Sequence, residues 1–370
     1  MGHLSYYQEK NNENTLKLRN ILSNLPPFCG DFFRAVEDVT SSLTRLNYAY
    51  DLRLFFQYLT SENTKFASKD MRQITLEDLN SLELQDFEYY VEYLGYYFTS
   101  PEGEGEEQKL HQNAERGKAR KIASLRTFFK YFYKKQQLDN CIPSLLDSPK
   151  LHDKAIIRLD TQEIGRMISA VRNGEGLTDK QKTYHQKSAL RDTAIVVLLL
   201  TTGIRVSELV GLDIGDINLK DRSMRIIRKG GNEAILYYPQ QTADTLLEYL
   251  EQRKSQGTYA QAEPLFLSLQ QRRITVRAVE NLIKKYAKIA SPLKNISPHK
   301  LRSTYGTMLY QNTGDIYLVA DVLGHKDVNT TRKHYAAMLE ENRRRAAEIL
   351  PDLQGLEKKR EIPSKDDELS

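Results

Sequence analysis

Two short stretches of the sequence combine basic residues in a way that suits an anionic ligand. Arg205 follows Gly203 at the turn before a predicted helix, and helix starts offer unpaired N–H groups and a positive dipole end. His299 and Arg302 are three residues apart, so a helix would place both on one face. There the imidazole can exchange a proton, and the guanidinium can bind a phosphate through two hydrogen bonds. Taken singly, each stretch is better explained as an ordinary surface position.

Three further residues extend this series along the chain. Lys229 stands at the tip of a predicted hairpin, from which a lysine can reach a leaving oxygen. His325 follows Gly324 at a predicted helix end, and Tyr335 comes ten residues later. The chain has 22 tyrosines, so a tyrosine by itself indicates nothing. The specific signal is the order Arg, Lys, His-x-x-Arg, Gly-His, Tyr along the chain.

A basic helix is predicted over residues 114–135, ahead of this series. Residues 108–150 hold ten Lys and Arg against three acidic residues, whereas the whole chain has a net charge of +5. Such a concentration favours binding to a polyanion, although a solvated helix face is the alternative. We expect DNA contacts from five residues of this helix, namely Arg116, Lys118, Arg120, Lys121 and Arg126.

The composition excludes several other classes of protein. With 370 residues, 40% hydrophobic and 28% charged, the chain fits a globular protein of two domains. The longest apolar run, residues 194–200, is far short of the roughly 20 residues that span a bilayer, so we expect no membrane segment. The start of the chain lacks the apolar core of a signal peptide. The only cysteines, Cys29 and Cys141, exclude a disulfide scaffold and favour a cytoplasmic location.

The organisation of the chain follows from breaks in the helical pattern. Apolar stripes at helical spacing begin at Ser41, and a loop rich in Glu and Gly interrupts them at 101–107. Asp160 and Glu163 form a capping box that starts a new domain. We predict five segments: a polar, irregular N-terminal extension over 1–40, a helical DNA-binding domain over 41–142, a linker over 143–158, a catalytic domain over 159–350 and a C-terminal tail over 351–370.

The predicted fold is mainly α with a small β-hairpin. The first domain is helical, with runs starting at Ser41, over 86–98 and over 114–135. In the second, a buried helix over 189–200 precedes two short strands, 224–228 and 234–238. The chain is then predicted to be helical from Thr275 to about residue 350, with breaks at prolines and glycines.

Together these motifs resemble the active site of the tyrosine recombinases, the phage integrase family. Residues 202–212 look like the first arginine motif of the family, 298–304 like the second and 323–335 like the histidine and tyrosine motif. Residues 120–133 resemble the last long helix of the core-binding domain. The resemblance covers roughly residues 40–350 and is nearest to Xer-like enzymes. It implies a helical, SAM-like core-binding domain followed by an α+β catalytic domain.

The resemblance also implies a role for each residue of the series. Arg205 and Arg302 would grip the scissile phosphate, and Tyr335 would attack it to give a covalent 3′-phosphotyrosyl intermediate. Lys229 would protonate the departing 5′-oxygen, and His299 would exchange the proton of the tyrosine.

Two more residues have implied supporting roles. His325 would donate a hydrogen bond to a phosphate oxygen, and Glu208 would support the arginine region. A phosphodiester is already anionic, and attack on it adds negative charge that fixed cations can stabilise. We therefore expect neither a metal nor another cofactor.

The implied activity is site-specific DNA recombination, with Xer-like chromosome dimer resolution as the expected task. The expected partners are double-stranded DNA with paired half-sites, further copies of the chain in a tetramer, and an accessory division or element protein. The alternatives are integration of a mobile element, a type IB topoisomerase activity, and a DNA-binding protein that has kept only the fold.

Overall fold

The computed structural model describes residues 5–67, 69–99, 109–150, 156–228, 230–260, 263–325 and 327–328. The chain divides into two units, Met1–Lys154 and Ala155–Ser370. Each unit is mainly helical and contains one small antiparallel sheet, of two strands in the first unit and three in the second. The predicted fold class, mainly α with a small β-hairpin, is confirmed.

The first unit consists of six helices, one hairpin and two short 3₁₀ turns in the part of the chain that is described. Its elements are α1 (Tyr6–Leu22), α2 (Cys29–Ala35), α3 (Ser42–Ser61), α4 (Leu76–Asn80), α5 (Leu84–Tyr93), β1 (Tyr97–Thr99), β2 (Lys109–His111) and α6 (Glu115–Lys134), with 3₁₀ turns at Met71–Gln73 and Ile142–Ser144.

Aromatic rings fill the core of the first unit. Phe55 of α3 stacks on Phe87 of α5 with ring centroids 5.7 Å apart, and Phe129 of α6 meets Phe87 edge-on at 5.3 Å. All three rings are buried. Aromatic pairs in these geometries add about 1 kcal/mol each to the burial of their area. The apolar face of the basic helix α6 therefore packs inward.

The prediction that residues 1–40 are irregular is wrong. Ser5 caps α1 with Gln8 in a capping box, and Leu18 and Ile21 on that helix are buried in the same core as α3. Phe32 of α2 is fully buried against Phe128 of α6, with ring centroids 5.2 Å apart. The prolines at 26 and 27 separate two helices and do not mark an unstructured segment, so the early residues form part of the first unit.

The helical run predicted over 86–98 is wrong at its C-terminal end. Helix α5 ends at Tyr93, and Tyr97 to Thr99 form β1, paired with β2 through Phe98 and Leu110. Tyr97 packs flat on His111 across the strands, at a ring distance of 5.2 Å. The buried residues Tyr90, Leu94 and Tyr97 keep helical spacings of three and four beyond the end of α5, so this spacing does not mark where the helix stops.

The second unit contains seven helices and a three-stranded sheet, within the described residues. Its elements are α7 (Thr161–Asn173), α8 (Asp179–Thr202), α9 (Val206–Gly211), β3 (Ile217–Asn218), β4 (Ser223–Ile227), β5 (Glu233–Tyr237), α10 (Gln240–Ser255), α11 (Val276–Ala290), α12 (Pro298–Thr313) and α13 (Ile316–Leu323), with a 3₁₀ turn at Ile214–Asp216.

The predicted hairpin and helix breaks of the second unit are confirmed, with shifts of one residue at the strands. Strands β4 and β5 pair in register from Ser223 opposite Tyr237 to Ile227 opposite Glu233. The long buried stretch lies in α8, which begins ten residues earlier than predicted, at Asp179. Neighbouring elements cover the first ten residues of α8 only partially. The sequence there is therefore polar and does not clearly show the helical period of apolar residues.

Within the described ranges, no helix combines the length and the apolar character needed to cross a bilayer.

A buried carboxylate fixes the start of the second unit. The N–H of Glu163 donates to Asp160 Oδ1 and the N–H of Asp160 to Glu163 Oε2, both at 2.8 Å, which confirms the predicted capping box. The Glu163 carboxylate also accepts hydrogen bonds of 2.6 Å from Ser291 Oγ and from Lys294 Nζ. Lys294 donates in addition to the carbonyl of Arg158 at 3.1 Å. The residues entering this unit are thereby tied to the end of α11.

We predict that this network makes the stability of the protein sensitive to acid. Burial alone would raise the pKa of the Glu163 carboxyl, but hydrogen bonds from Lys294, Ser291 and the N-terminal end of α7 outweigh it and lower the pKa to about 2. In the unfolded chain this pKa is about 4.3. The charged form therefore stabilises the fold by about 3 kcal/mol above pH 5, and this contribution is lost as the pH falls towards 2.

The measurement is urea unfolding of wild type and of Glu163→Gln between pH 7 and pH 3. The free-energy difference between the two should be largest near neutral pH and should shrink as the pH falls. Glu248→Gln, an exposed change on α10, serves as control and should show no such trend. A difference for Glu163→Gln that does not vary with pH would contradict the assignment.

Candidate active site

Arg205 is fixed by a carboxylate from the next helical turn. Helix α8 ends at Gly203, whose φ of 60° lies in the left-handed region, and the chain turns there into α9. The buried Glu208 accepts the backbone N–H of Arg205 at 3.0 Å and Nη1 of its guanidinium at 2.8 Å. One-third of the Arg205 side chain remains exposed. The carboxylate thus orients a cation whose outer edge can meet a ligand.

Arg302 is buried and lies between two helix ends. It sits on α12, where its Nη1 donates to the carbonyl of Gly203 at 2.5 Å and its Nη2 donates to the carbonyl of Leu323. His299 lies one turn earlier on the same helix and is exposed.

Gly203 must be a glycine for steric as well as backbone reasons. A Cβ at this position would come within 2.5 Å of Cδ1 of Tyr305 and within 3.0 Å of a methyl carbon of Leu323. The backbone of α8 therefore approaches α12 and α13 closely, and this approach brings the Gly203 carbonyl within reach of Arg302.

The C-terminal end of α13 is where the site converges. Helix α13 ends at Gly324, with φ 60°, and the last carbonyls of a helix have no partner within the helix. Here the carbonyl of Leu323 accepts from Arg302, and the carbonyl of Gly324 accepts from Nη2 of Arg205 at 3.0 Å. His325 follows directly, with its N–H bonded to the carbonyl of Ala320 at 2.9 Å. The negative end of the helix dipole also favours cations at this position.

A third arginine reaches the same helix end. Arg228, at the end of β4, donates to the carbonyl of Asp321 at 3.3 Å and to that of Val322 at 3.1 Å. The sequence analysis assigned it no role. The signal was weak, because one arginine beside a lysine in a hairpin is normally a solvated residue.

Some of the predicted site residues lie close together in the structure, and others lie outside the described residues. Arg205, Arg302 and His325 all lie at the end of α13, with His299 on the helix that carries Arg302. Lys229 and Tyr335 lie outside the described residues. The predicted neighbour of the arginine region, Glu208, is in contact with Arg205. A cluster of fixed cations at a partly exposed helix end is suited to binding a phosphodiester. It can also stabilise the negative charge that develops when the phosphorus is attacked.

The predicted DNA-binding residues of α6 fall into two groups. Arg116 is exposed, and Lys118 is half-buried, with its Nζ lying over Gly95. Arg120 donates to the buried carboxylate of Asp51 at 2.5 Å, but about half of its side chain remains exposed. For these three, DNA contact stays a prediction.

The other two residues of that set are used inside the first unit. Lys121 is buried and donates to Asn113 Oδ1 at 2.9 Å. Arg126 donates to the carbonyl of Pro143 and to Ser148 Oγ, both at 3.0 Å, and to the carbonyl of Leu146. The bonds of Arg126 hold residues of the predicted linker against α6. Because Lys121 and Arg126 both bind groups inside the first unit, these contacts argue against the expected phosphate contacts of either side chain.

Comparison with known proteins supports the same interpretation. Residues 158–342 match the phage integrase family. A tyrosine recombinase XerC from Caldanaerobacter subterraneus is 31% identical over 318 residues, which cover 83% of this chain and 82% of the relative. A tyrosine recombinase XerD from Proteus mirabilis is 32% identical over 216 residues, 58% of this chain and 66% of the relative.

Two solved structures share the fold. The XerH site-specific recombinase bound to a palindromic difH substrate matches with a TM-score of 0.59 at 19% identity, over 84% of this chain and 80% of XerH. The Tn1549 transposon integrase in complex with circular intermediate DNA matches with a TM-score of 0.55 at 18% identity, over 83% of this chain and 94% of the integrase. With the family match and the identity to XerC, these findings establish that the chain belongs to the phage integrase family and is a Xer-like tyrosine recombinase.

Proposed function

We propose that the chain recombines DNA at specific sites by attack of Tyr335 on a phosphodiester that Arg205 and Arg302 hold. The observation that carries this proposal is the convergence of both guanidiniums on the end of α13. The residue order supports it, because Tyr335 follows that helix end by only eleven residues along the chain.

The proposed step balances without an energy source. The Tyr335 phenol oxygen bonds to phosphorus, and the bond from phosphorus to the 5′-oxygen breaks. A free tyrosine has a pKa of about 10, so a base must take its proton, and His299 is placed in that role. Lys229 returns a proton to the leaving 5′-oxygen. Because the phosphotyrosyl linkage keeps the phosphodiester bond energy, a 5′-hydroxyl from another strand can reverse the reaction and complete strand exchange.

The two arginines would act on the charge that develops during the attack. Five-coordinate phosphorus places additional negative charge on the non-bridging oxygens. A guanidinium offers parallel N–H donors that match two such oxygens, which a lysine cannot do. His325, one residue beyond Gly324, would donate a hydrogen bond to a phosphate oxygen. The anchoring of Arg205 by Glu208 and of Arg302 by Gly203 means that little reorganisation is needed when DNA binds.

The proposed task is Xer-like chromosome dimer resolution in the cytoplasm, by a tetramer on two DNA duplexes with paired half-sites. The names XerC and XerD among the most similar curated relatives support this task. Integration of a mobile element is the second candidate, and the shared fold with the Tn1549 integrase favours it. Each task would use its own accessory protein, either of cell division or of the mobile element. Sequencing of the DNA trapped by the enzyme in its source genome would separate the two tasks by locating the target site.

We predict that wild type forms SDS-resistant adducts with nicked duplex DNA carrying its site, whereas Tyr335→Phe forms none. Loss of the phenol oxygen removes the nucleophile but keeps the aromatic ring. Tyr317→Phe is the matched control, because Tyr317 is an exposed tyrosine of α13. It should form adducts at the wild-type rate.

Adducts from Tyr335→Phe equal to those of wild type would contradict this assignment of the nucleophile. Binding without cleavage by wild type would instead favour a DNA-binding protein that has kept only the fold. Relaxation of supercoiled DNA without exchange between two duplexes would favour the type IB topoisomerase activity.

We also predict that the salt dependence of DNA binding distinguishes the two groups of basic residues on α6. Each phosphate contact contributes about 0.9 to the slope of log Kd against log salt concentration. Replacing Arg116 and Lys118 together by glutamine should therefore lower the slope by about 2. Arg126→Gln should leave the slope unchanged, because that guanidinium is bound to Pro143 and Ser148.

Fluorescence anisotropy with a labelled duplex, titrated at four or five salt concentrations, measures these slopes. A slope that stays at the wild-type value in the Arg116→Gln/Lys118→Gln variant would remove both residues from the interface.

A further inference from the structure

Arg228 connects two elements that are 93 residues apart in sequence. It ends the β4 side of the hairpin, where its N–H donates to the carbonyl of Asn232 at 2.8 Å and its carbonyl accepts from Gly231 at 3.1 Å. Its backbone is therefore fixed by the hairpin turn. Its guanidinium is fixed by the carbonyls of Asp321 and Val322 at the end of α13. The side chain is thus a strut between the hairpin and that helix end.

The packing of the Arg228 side chain explains why position 324 is a glycine. A Cβ at Gly324 would lie 2.2 Å from Nη1 of Arg228 and 2.6 Å from its Cζ, so the guanidinium occupies the space of a side chain at 324. Gly314 provides the contrast. It has a similar positive φ of 68° at the end of α12, but a Cβ there would meet nothing within 4 Å. Gly324 therefore has a packing requirement, set by Arg228, that Gly314 lacks.

Arg228 contacts the same helix end as Arg205 and Arg302, the two candidate phosphate-binding residues. The four consecutive carbonyls from Asp321 to Gly324 accept from Arg228, Arg302 and Arg205. A hairpin held at this end is held at a defined distance from the proposed phosphate site. Lys229, the residue to which the resemblance gives proton donation, is the next residue in the chain after Arg228.

We propose that Arg228 is a positioning residue for strand cleavage, which holds the hairpin against the end of α13 so that the proton donor of the hairpin meets the leaving 5′-oxygen. This inference rests on the proposed function. It concerns one step of the reaction, the breaking of the bond between phosphorus and the 5′-oxygen with transfer of a proton to that oxygen. A donor misplaced by about 1 Å can cost about 100-fold in rate.

The test compares two nicked duplexes in single-turnover cleavage, one with the natural 5′-oxygen and one with sulfur in its place. A thiol has a pKa of about 8.5, so sulfur departs as the thiolate and needs no proton donor.

Arg228→Gln should slow cleavage of the oxygen substrate by about 10- to 100-fold. Cleavage of the sulfur substrate should stay within about threefold of wild type, and Kd for DNA should be unchanged. Arg228→Lys, which can reach one carbonyl but not two, should fall between wild type and Arg228→Gln on the oxygen substrate.

Arg225→Gln is the matched control on the same strand. Arg225 is exposed and pairs with Asp216 and Glu233, away from α13, so its loss should leave cleavage of both substrates at the wild-type rate. The glycine pair provides a second test if Arg228→Gln is poorly folded. Gly314→Ala and Gly324→Ala carry comparable backbone strain, but only Gly324→Ala displaces Arg228, so only it should show the oxygen-specific loss.

Each other outcome overturns the inference. Cleavage of the oxygen substrate by Arg228→Gln at the wild-type rate would show that the strut is not needed. Equal losses on oxygen and sulfur substrates, in Arg228→Gln or in Gly324→Ala, would show a general structural role. If wild type itself forms no adduct on either substrate, the proposed function fails and this inference fails with it, whereas the first two outcomes leave the proposed function intact.

Discussion

The candidate active site depends on the carbonyl groups at the end of one short helix. Three guanidiniums within one cluster would repel one another, by about 1 kcal/mol per pair at 4 Å even in water and by more where water is excluded. The carbonyls from Asp321 to Gly324 offset this repulsion by accepting hydrogen bonds from all three. The same bonds use carbonyl groups at a helix end, where the helix offers few N–H partners of its own. A concentrated positive site can therefore exist before any anion binds.

The surrounding elements serve to bring those cations to that helix end. Helix α8 contributes the carbonyl of Gly203, and the absence of a side chain there allows α12 and α13 to pack closely against it. Burial of Arg302 would cost several kcal/mol if its donors lacked partners, and the carbonyls of Gly203 and Leu323 supply them. Helix α12 is in turn attached to the start of the domain, because Thr304 Oγ1 accepts the N–H of Leu159 at 3.1 Å. The positions of Arg205 and Arg302 are thus set by contacts with helix ends.

Much of this arrangement could be predicted from the sequence, and the exceptions have physical reasons. The hairpin, the breaks at Gly203, Gly314 and Gly324 and the capping box at Asp160 are local signals, and the structure confirms them. The pairing of Arg302 with the Gly203 carbonyl joins residues 99 positions apart, and no local pattern reports such a contact. The roles of Arg126 and Arg228 were missed for the same reason. A basic side chain gives the same sequence signal whether it binds DNA phosphates or backbone carbonyls of its own fold, and the amphipathic pattern of α1 was too weak to show that residues 6–22 pack on α3.

The measurement that tests this account most directly is the single-turnover cleavage rate of Arg205→Lys on a nicked duplex at saturating protein. Lysine keeps the charge but cannot bond the Gly324 carbonyl, Glu208 and a phosphate oxygen together, as the guanidinium can. If the arginines at the end of α13 hold the scissile phosphate, the rate should fall by about 100-fold or more while Kd for DNA changes by less than about threefold. A cleavage rate within threefold of wild type would contradict the account, because it would mean that charge near α13 suffices and that the bonded arrangement of the guanidiniums is not what performs the chemistry.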